Sequence, residues 1–310
     1  MRTKTIIMAA ILLVAVAVAG VYYLHRSRLT PPAPAGDGGI STLEYSLSDY
    51  AALLSAHVGG DGLVDYRGLK LNREPLDRFV VGLGRLGLAT YQSWDESDQI
   101  AFWINAYNAL TILAVVDHYP VAPEDSSGSA LHSIREIPGV WDRLPFTVLG
   151  QRLTLDQIEH ETLRKHFTEP RIHVALVCAA RSCPPLRNEP YEGDKLEEQL
   201  DDQARRFLSS RWGLDIDPEA KRVRLSSIFQ WYGEDFVSVY ESEEVTSGRT
   251  PAERSVLNFV SGYLDPPRRQ YLLKAQYLVE YLDYDWSLNE PKTEPLVSQM
   301  DFRVRSAQSK

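Results

Sequence analysis

The chain has two cysteines, Cys178 and Cys183, and both fall in the stretch R-I-H-V-A-L-V-C-A-A-R-S-C-P-P-L-R-N-E-P, Arg171 to Pro190. A thiolate attacks carbonyl carbon well once a nearby cation or amide favours its charged form. Cys183 is the candidate nucleophile here. Arg181 stands two residues away and would favour the thiolate, and the loop amides around it would receive an oxyanion. Two plainer readings compete. Buried cysteines are commonly small apolar packing residues, or the two could form a local disulfide.

Six other side chains are candidates to join the thiol. Glu159 falls near the middle of the apolar face of a helix expected over Leu155 to Phe167, where a carboxylate is costly unless paired or working. His166 shares that face, while His160 points away from it at 100° per residue. Glu159 or His160 is the expected base or its orienter. Asn105 and Asn108 lie three apart on one face of a helix that is apolar almost all round, Ala101 to Val116, so their amides must find partners. They either brace a neighbouring loop or line a pocket. The catalytic reading gives them, with Arg181 and His173, to substrate binding.

The elements that must position these residues follow from patterning. Ile172 to Ala179 is a short continuous apolar run bounded by Pro170 and Pro184-Pro185, which reads as a strand buried on both faces. Such a strand would separate His173 from Cys183. It covers roughly 20 Å, and the four residues beyond it return at most about 13 Å. An imidazole partner would then come from His160, His166, His132 or His118. Helices are expected over Leu43 to Val58, Pro75 to Leu86, Asp95 to His118 (capped by Ser93 or Asp95), Asp194 to Leu208, Ser227 to Val239, Thr250 to Tyr263 and Arg268 to Ala275. Gly62 to Tyr66 reads as a short extended piece closed by a turn at Arg67-Gly68. Hairpins are expected at Phe146 to Leu155 and Asp215 to Leu225, a further strand at Ser133 to Ile137, and a closing strand at Val279 to Leu288. Thr154 and Gln157 form a capping-box pattern that feeds the first hairpin into its helix.

The whole chain narrows the class. It has 310 residues, 44% of them hydrophobic, enough for one large core or two small ones. Net charge is −9 and no basic cluster stands out beyond the N-terminal flanks, so no nucleic-acid partner is expected. No cofactor motif is evident, and no metal is expected, although Cys183, His173 and Glu159 form a conceivable ligand set without tight spacing.

At the N-terminus, Arg2 and Lys4 precede an apolar run from Ile6 to Leu24. As a helix it spans roughly 28 Å, enough to cross a bilayer. Ala17-Val18-Ala19 resembles a signal cleavage site, but the apolar run continues past it, which favours an uncleaved anchor. Either way the body is expected on the extracytoplasmic side, membrane-anchored or secreted. Thr30 to Gly39 is a Pro/Gly linker, and Pro291 to Lys310 reads as a loose tail.

Several segments together resemble the bacterial and plant family catalogued as domain of unknown function 547. They are F-W-I-N-A-Y-N-A-L at Phe102 to Leu110, L-T-L-D-Q-I-E-H-E-T-L-R at Leu153 to Arg164, and R-I-H-V-A-L-V-C-A-A-R-S-C-P-P-L at Arg171 to Leu186. S-S-I-F-Q-W-Y-G-E-D-F from Ser226 and Y-D-W-S-L-N from Tyr284 complete the set. The resemblance runs from about Leu43 to Asn289. One departure is Ala179, where relatives carry glycine after the first cysteine. Plant relatives carry a leucine-zipper region where this chain has its apolar segment and linker. The resemblance implies no established reaction.

The expected architecture is α+β, a single domain over 43–290 with a mixed or antiparallel sheet surrounded by helices. It follows a membrane helix or signal over 1–28 and a linker over 29–42. The leading functional expectation is a thiol-dependent hydrolase or acyl transferase acting on a peptide or envelope substrate. The alternative is a non-catalytic binding or scaffold module anchored to the membrane.

Overall fold

A computed structural model of the chain describes residues 45–119, 133–242 and 248–291. The expected membrane segment and linker, the loop from Pro123 to Ala130, His132 and residues 292–310 lie outside them.

The chain is built around one helix. Asp95 caps it by accepting from the Asp98 amide at 3.1 Å, and the helix runs from Glu96 to His118 (α5). Every residue from Ile100 to Val116 except Leu113 is buried. A helix this long and apolar passes for a membrane span by composition, but its apolar window is 89% buried inside the fold. Four elements precede it: α1 (Leu47–His57), α2 (Tyr66–Leu71), α3 (Glu74–Arg85) and α4 (Leu88–Gln92). Tyr50 of α1 stacks on Phe79 of α3, with centroids 4.5 Å apart and planes 8° apart. The expected turn at Arg67-Gly68 is instead the opening of α2, because the Asp65 carboxylate accepts from the Gly68 amide and caps a helix there.

Strands β1 (Phe146–Val148) and β2 (Gln151–Leu153) form the expected hairpin. Its turn residues Leu149 and Gly150 both have positive φ, 51° and 72°, as a tight two-residue hairpin requires. The capping box follows as read: the Gln157 amide donates to Thr154 Oγ1, and the Thr154 amide to Gln157 Oε1. The helix it starts is π-wound over Gln157–Leu163 before an α turn over Arg164–His166.

The C-terminal half carries α6 (Leu196–Ser209), β3 (Leu214–Asp217), β4 (Arg222–Leu225), α7 (Ser227–Tyr232), α8 (Val237–Tyr240), α9 (Pro251–Ser261), α10 (Pro266–Lys274) and β5 (Leu278–Tyr281). β3 and β4 pair antiparallel, and β5 joins β4 in parallel. The α+β class therefore stands, but in place of one sheet ringed by helices the described residues form two small sheets, of two and three strands. One apolar cluster surrounds α5. A second gathers Phe207, Phe229, Phe236 and Phe259, and Tyr284 packs against both.

Three expected strands are corrected. Ser133 to Ile137 is a 3₁₀ turn over Ile134–Glu136 whose isoleucines join the core, and Ser133 forms an isolated bridge with Ser287. β5 stops at Tyr281, and residues 282–289 continue as an irregular strap. The largest correction is Ile172 to Ala179. Pro170–Val174 is a 3₁₀ turn, started by Glu169 accepting from the Arg171 amide, and the chain beyond it is irregular. The run is buried as expected, yet among the described residues no strand pairs with it. Its polar groups are met by Asn108, which accepts from the Val177 amide at 2.8 Å and donates to the Ala175 carbonyl at 3.0 Å. Burial on all sides favours apolar residues whatever the backbone does, so the run alone could not separate strand from loop.

Candidate functional site

The strap sets the site. The Asn289 amide donates to the Ala179 carbonyl at 3.0 Å, the Arg181 amide to the Ser287 carbonyl at 2.7 Å, and the Asp285 amide to Ser182 Oγ at 2.8 Å. These bonds tie 282–289 to the cysteine loop and deliver Tyr284 and Trp286 beside the sulfurs. α5 holds the other side of the loop. Asn105 donates to the Tyr191 carbonyl at 2.8 Å and accepts from its amide at 2.9 Å, as Asn108 does for Ala175 and Val177. The two carboxamides thus brace the loop through its backbone and do not line the cavity, which corrects their assignment to substrate binding.

A cavity of about 290 Å³ opens against this loop. That is the small end of ligand pockets, which run to roughly 300–1,000 Å³. Cys178, Cys183, Glu159, His160, His173 and Asp156 reach it, and Tyr107, Trp141, Trp231, Tyr232, Tyr284 and Trp286 supply aromatic faces. Among the described residues it unites four of the sequence candidates: Cys183, Glu159, His160 and His173. Arg181 is turned elsewhere. Its guanidinium donates to the Glu290 carbonyl, and it lines a separate concavity of about 100 Å³ with Pro184 and Pro185.

The strand expected to hold His173 away from Cys183 is not formed. A 3₁₀ turn and an irregular loop replace the strand, and both residues border one cavity. His166 and His118 are elsewhere: each donates from Nδ1 to a helical carbonyl, that of Thr162 and that of Ala114 respectively. The π winding changes the phase of its helix, so His160 faces the cavity and His166 is exposed.

His173 is buried and strongly oriented. Its Nε2 lies 2.7 Å from Asp235 Oδ2, and its ring stacks on Tyr232 with centroids 4.1 Å apart and planes 13° apart. A carboxylate only accepts, so Nε2 carries the proton and Nδ1 is left as the ring's basic atom when neutral. Asp235 also takes both arms of Arg164, at 2.6 and 2.9 Å. Burial pushes the Asp235 carboxyl up, but the His173 and Arg164 bonds outweigh it and hold the group well below the usual carboxylate range. His160 is differently placed. Arg164 Nη1 donates to its Nδ1 at 3.1 Å, which occupies the nitrogen a base would use.

Glu159 is 7% exposed. Burial first, and then its charge, raise the phenols of Tyr107, Tyr232 and Tyr284, so these remain protonated donors around it. Asp156 nearby is also raised by burial, partly offset by His160.

Cys178 and Cys183 are joined as a disulfide, and no free cysteine remains. This is the plainer alternative of the sequence reading, and in this form Cys183 is not a nucleophile. Cys183 Sγ accepts from the Cys178 amide at 3.1 Å and lies 3.0 Å from Tyr284 Oη, which is 3.3 Å from Cys178 Sγ. The suggested ligand set of Cys183, His173 and Glu159 does not assemble. Among the described residues no group of three or more His, Cys, Asp or Glu is placed to hold a metal ion.

Asp235 and the aromatic side chains were missed as site residues. Their signal was present: Tyr107, Trp231, Tyr232, Asp235, Tyr284 and Trp286 all fall inside the segments that carry the family resemblance.

Fold and cavity together define an α+β domain whose aromatic, acid-lined pocket has a disulfide in its wall. Residues 91–208 match the model of the family described as protein of unknown function, DUF547. No curated protein and no solved structure matches the chain.

Proposed function

We propose that the domain is a thiol-dependent hydrolase or acyl transferase that works when Cys178 and Cys183 are reduced. The observation that carries this reading is the convergence of both sulfurs with an Asp235-held His173 and a buried Glu159 on one cavity. In the dithiol form the Cys178 amide and the Tyr284 hydroxyl favour a Cys183 thiolate. That thiolate attacks an acyl carbon, and His173 Nδ1 carries the proton to the leaving group. The indole faces of Trp141, Trp231 and Trp286 hold the rest of the substrate, for which a peptide or cell-envelope fragment is the proposed class. The apolar segment Ile6 to Leu24 supports an extracytoplasmic, membrane-anchored location.

The test reduces the full-length chain with a phosphine and adds p-nitrophenyl acetate. A burst of nitrophenol with an acetyl group mapped by mass spectrometry to Cys183 is expected, and His173→Asn should retain the acyl-enzyme by slowing its hydrolysis. Acetyl groups only on lysines, or on Cys178 at the same rate, would overturn it. The disulfide itself favours a second reading, a binding module whose cysteines only pin the loop. A reduced protein inert to the ester but unchanged in fold supports that reading.

A further inference from the structure

The two sulfurs of the pair are not equivalent. Both cysteines border the cavity, but Cys178 is half-buried whereas Cys183 is only 6% exposed. The hydrogen bonds are unequal in the opposite sense. Cys183 Sγ receives the Cys178 amide and has the closer approach of Tyr284 Oη, while Cys178 Sγ has only the longer contact to that hydroxyl. An attacking thiolate prefers the sulfur it can reach, and a disulfide breaks most readily when the departing sulfur leaves as a stabilised thiolate. Both preferences select the same direction of opening.

We propose that the Cys178–Cys183 disulfide is redox-active and exchanges with thiol substrates that enter the cavity and attack Cys178. The incoming thiolate forms a new S–S bond to Cys178 Sγ. The Cys178–Cys183 bond breaks, and its electron pair leaves on Cys183 Sγ, held by the Cys178 amide and the Tyr284 hydroxyl. A second substrate thiolate attacks the substrate sulfur of the mixed disulfide and releases Cys178 as a thiolate. The substrate is oxidised from two thiols to one disulfide, the protein is reduced to two thiols, and the two substrate protons end on the cysteines or in solvent.

Tyr284 suits this role. Burial, with the charge of Glu159 behind it, raises its phenol, so it stays a donor at neutral pH. The substrate class is a thiol small enough, or a cysteine side chain extended enough, to enter about 290 Å³ between indole rings. One consequence rests on the acyl-transfer reading above: while the pair is bonded Cys183 cannot attack an ester or amide, so exchange with a thiol would switch that activity on.

The experiment uses the full chain with glutathione and glutathione disulfide as probes and reads thiol states by mass after alkylation. Oxidised wild-type protein should open in reduced glutathione at neutral pH without denaturant. When oxidised wild-type protein is treated briefly with reduced glutathione and quenched with acid, the trapped mixed disulfide should carry glutathione on Cys178 at least tenfold more often than on Cys183. Tyr284→Phe should slow opening of the wild-type pair about tenfold, with far-ultraviolet circular dichroism unchanged. Glutathione found equally on the two cysteines, or a pair that opens only in denaturant, would overturn the proposal. No acyl substrate enters this assay, so an inert result with p-nitrophenyl acetate leaves its outcome untouched, and the converse holds.

Discussion

The carboxylate of Asp235 holds His173 Nε2 at 2.7 Å through Oδ2 while Arg164 donates to both oxygens of the same carboxylate, from Nε to Oδ2 and from Nη2 to Oδ1. This chain joins the π-wound helix, the 3₁₀ turn before the cysteine loop and the segment after α7. It fixes the His173 ring against Tyr232 at the edge of the cavity.

A pH dependence follows from the depressed Asp235 carboxyl. A carboxyl held below its unfolded value of about 3.9 contributes stability that is fully present above that pH and is lost as pH falls toward the folded value. Asp235→Asn removes that term. The variant should lose about 1–2 kcal/mol at pH 7, a figure kept small because Asp235 and Arg164 are each about a quarter exposed. Its deficit should shrink on going from pH 5 to pH 3, as the unfolded wild type takes up a proton that its folded form does not bind and that the variant cannot. Urea unfolding of both proteins across that range measures this, and a deficit independent of pH would refute it.

How far the sequence discloses this molecule depends on which interactions decide each part. α5, its Asp95 cap, both hairpins and the Thr154–Gln157 box were legible because local bonds and turn residues determine them. Glu159 was found by its place on an apolar face, since that cost is local too. The cysteine loop was misread because its conformation comes from partners far along the chain: Asn108 from α5, and Ser287 and Asn289 from the strap. Asp235 and Tyr284 were not chosen for a related reason. What makes them site residues is contact with His173 and Cys183, 62 and 101 positions away.

Asn108 should matter for stability more than any single core methyl. Its side chain satisfies one carbonyl and one amide of a buried loop, and each orphaned group costs about 1–3 kcal/mol. Asn108→Ala should therefore lose about 2–4 kcal/mol by denaturant midpoint, whereas Asn108→Asp should keep the Val177 bond and lose the Ala175 one. A loss below about 1 kcal/mol for the alanine variant would show that water replaces the carboxamide and that the brace is dispensable.

Two residues with positive φ make a matched test of backbone strain. Lys221 (φ 52°) is exposed in the β3–β4 turn, and Ala179 (φ 59°) is buried beside Cys178. Relief of the left-handed conformation by glycine is worth about 1–2 kcal/mol, and the freer unfolded chain takes back about 0.4–1. Lys221→Gly has no packing to lose and should gain about 0.5–1 kcal/mol. Ala179→Gly also gives up a buried methyl worth about 0.8 kcal/mol, so it should be neutral within about 0.5. Thermal unfolding of the two variants decides the matter: a clear gain at Ala179 would mean the methyl packs poorly.

Reducing the disulfide should leave the fold standing. Cys178 and Cys183 are separated by five positions, so the bond closes a very short loop. On the chain-entropy estimate, such a loop is worth about 2 kcal/mol, and that is an upper bound where the surrounding backbone is already fixed by other bonds. Here it is fixed: Asn105, Asn108 and the strap hold the loop from both sides without the sulfurs. Denaturant midpoints with and without a phosphine reductant should differ by no more than this, with identical far-ultraviolet circular dichroism in buffer. Such a result makes the dithiol protein a folded species with a complete cavity, which both the acyl-transfer and the exchange chemistry require. Collapse of the folded signal on reduction would instead make the bond structural, and with it Cys183 would lose any role beyond holding its loop.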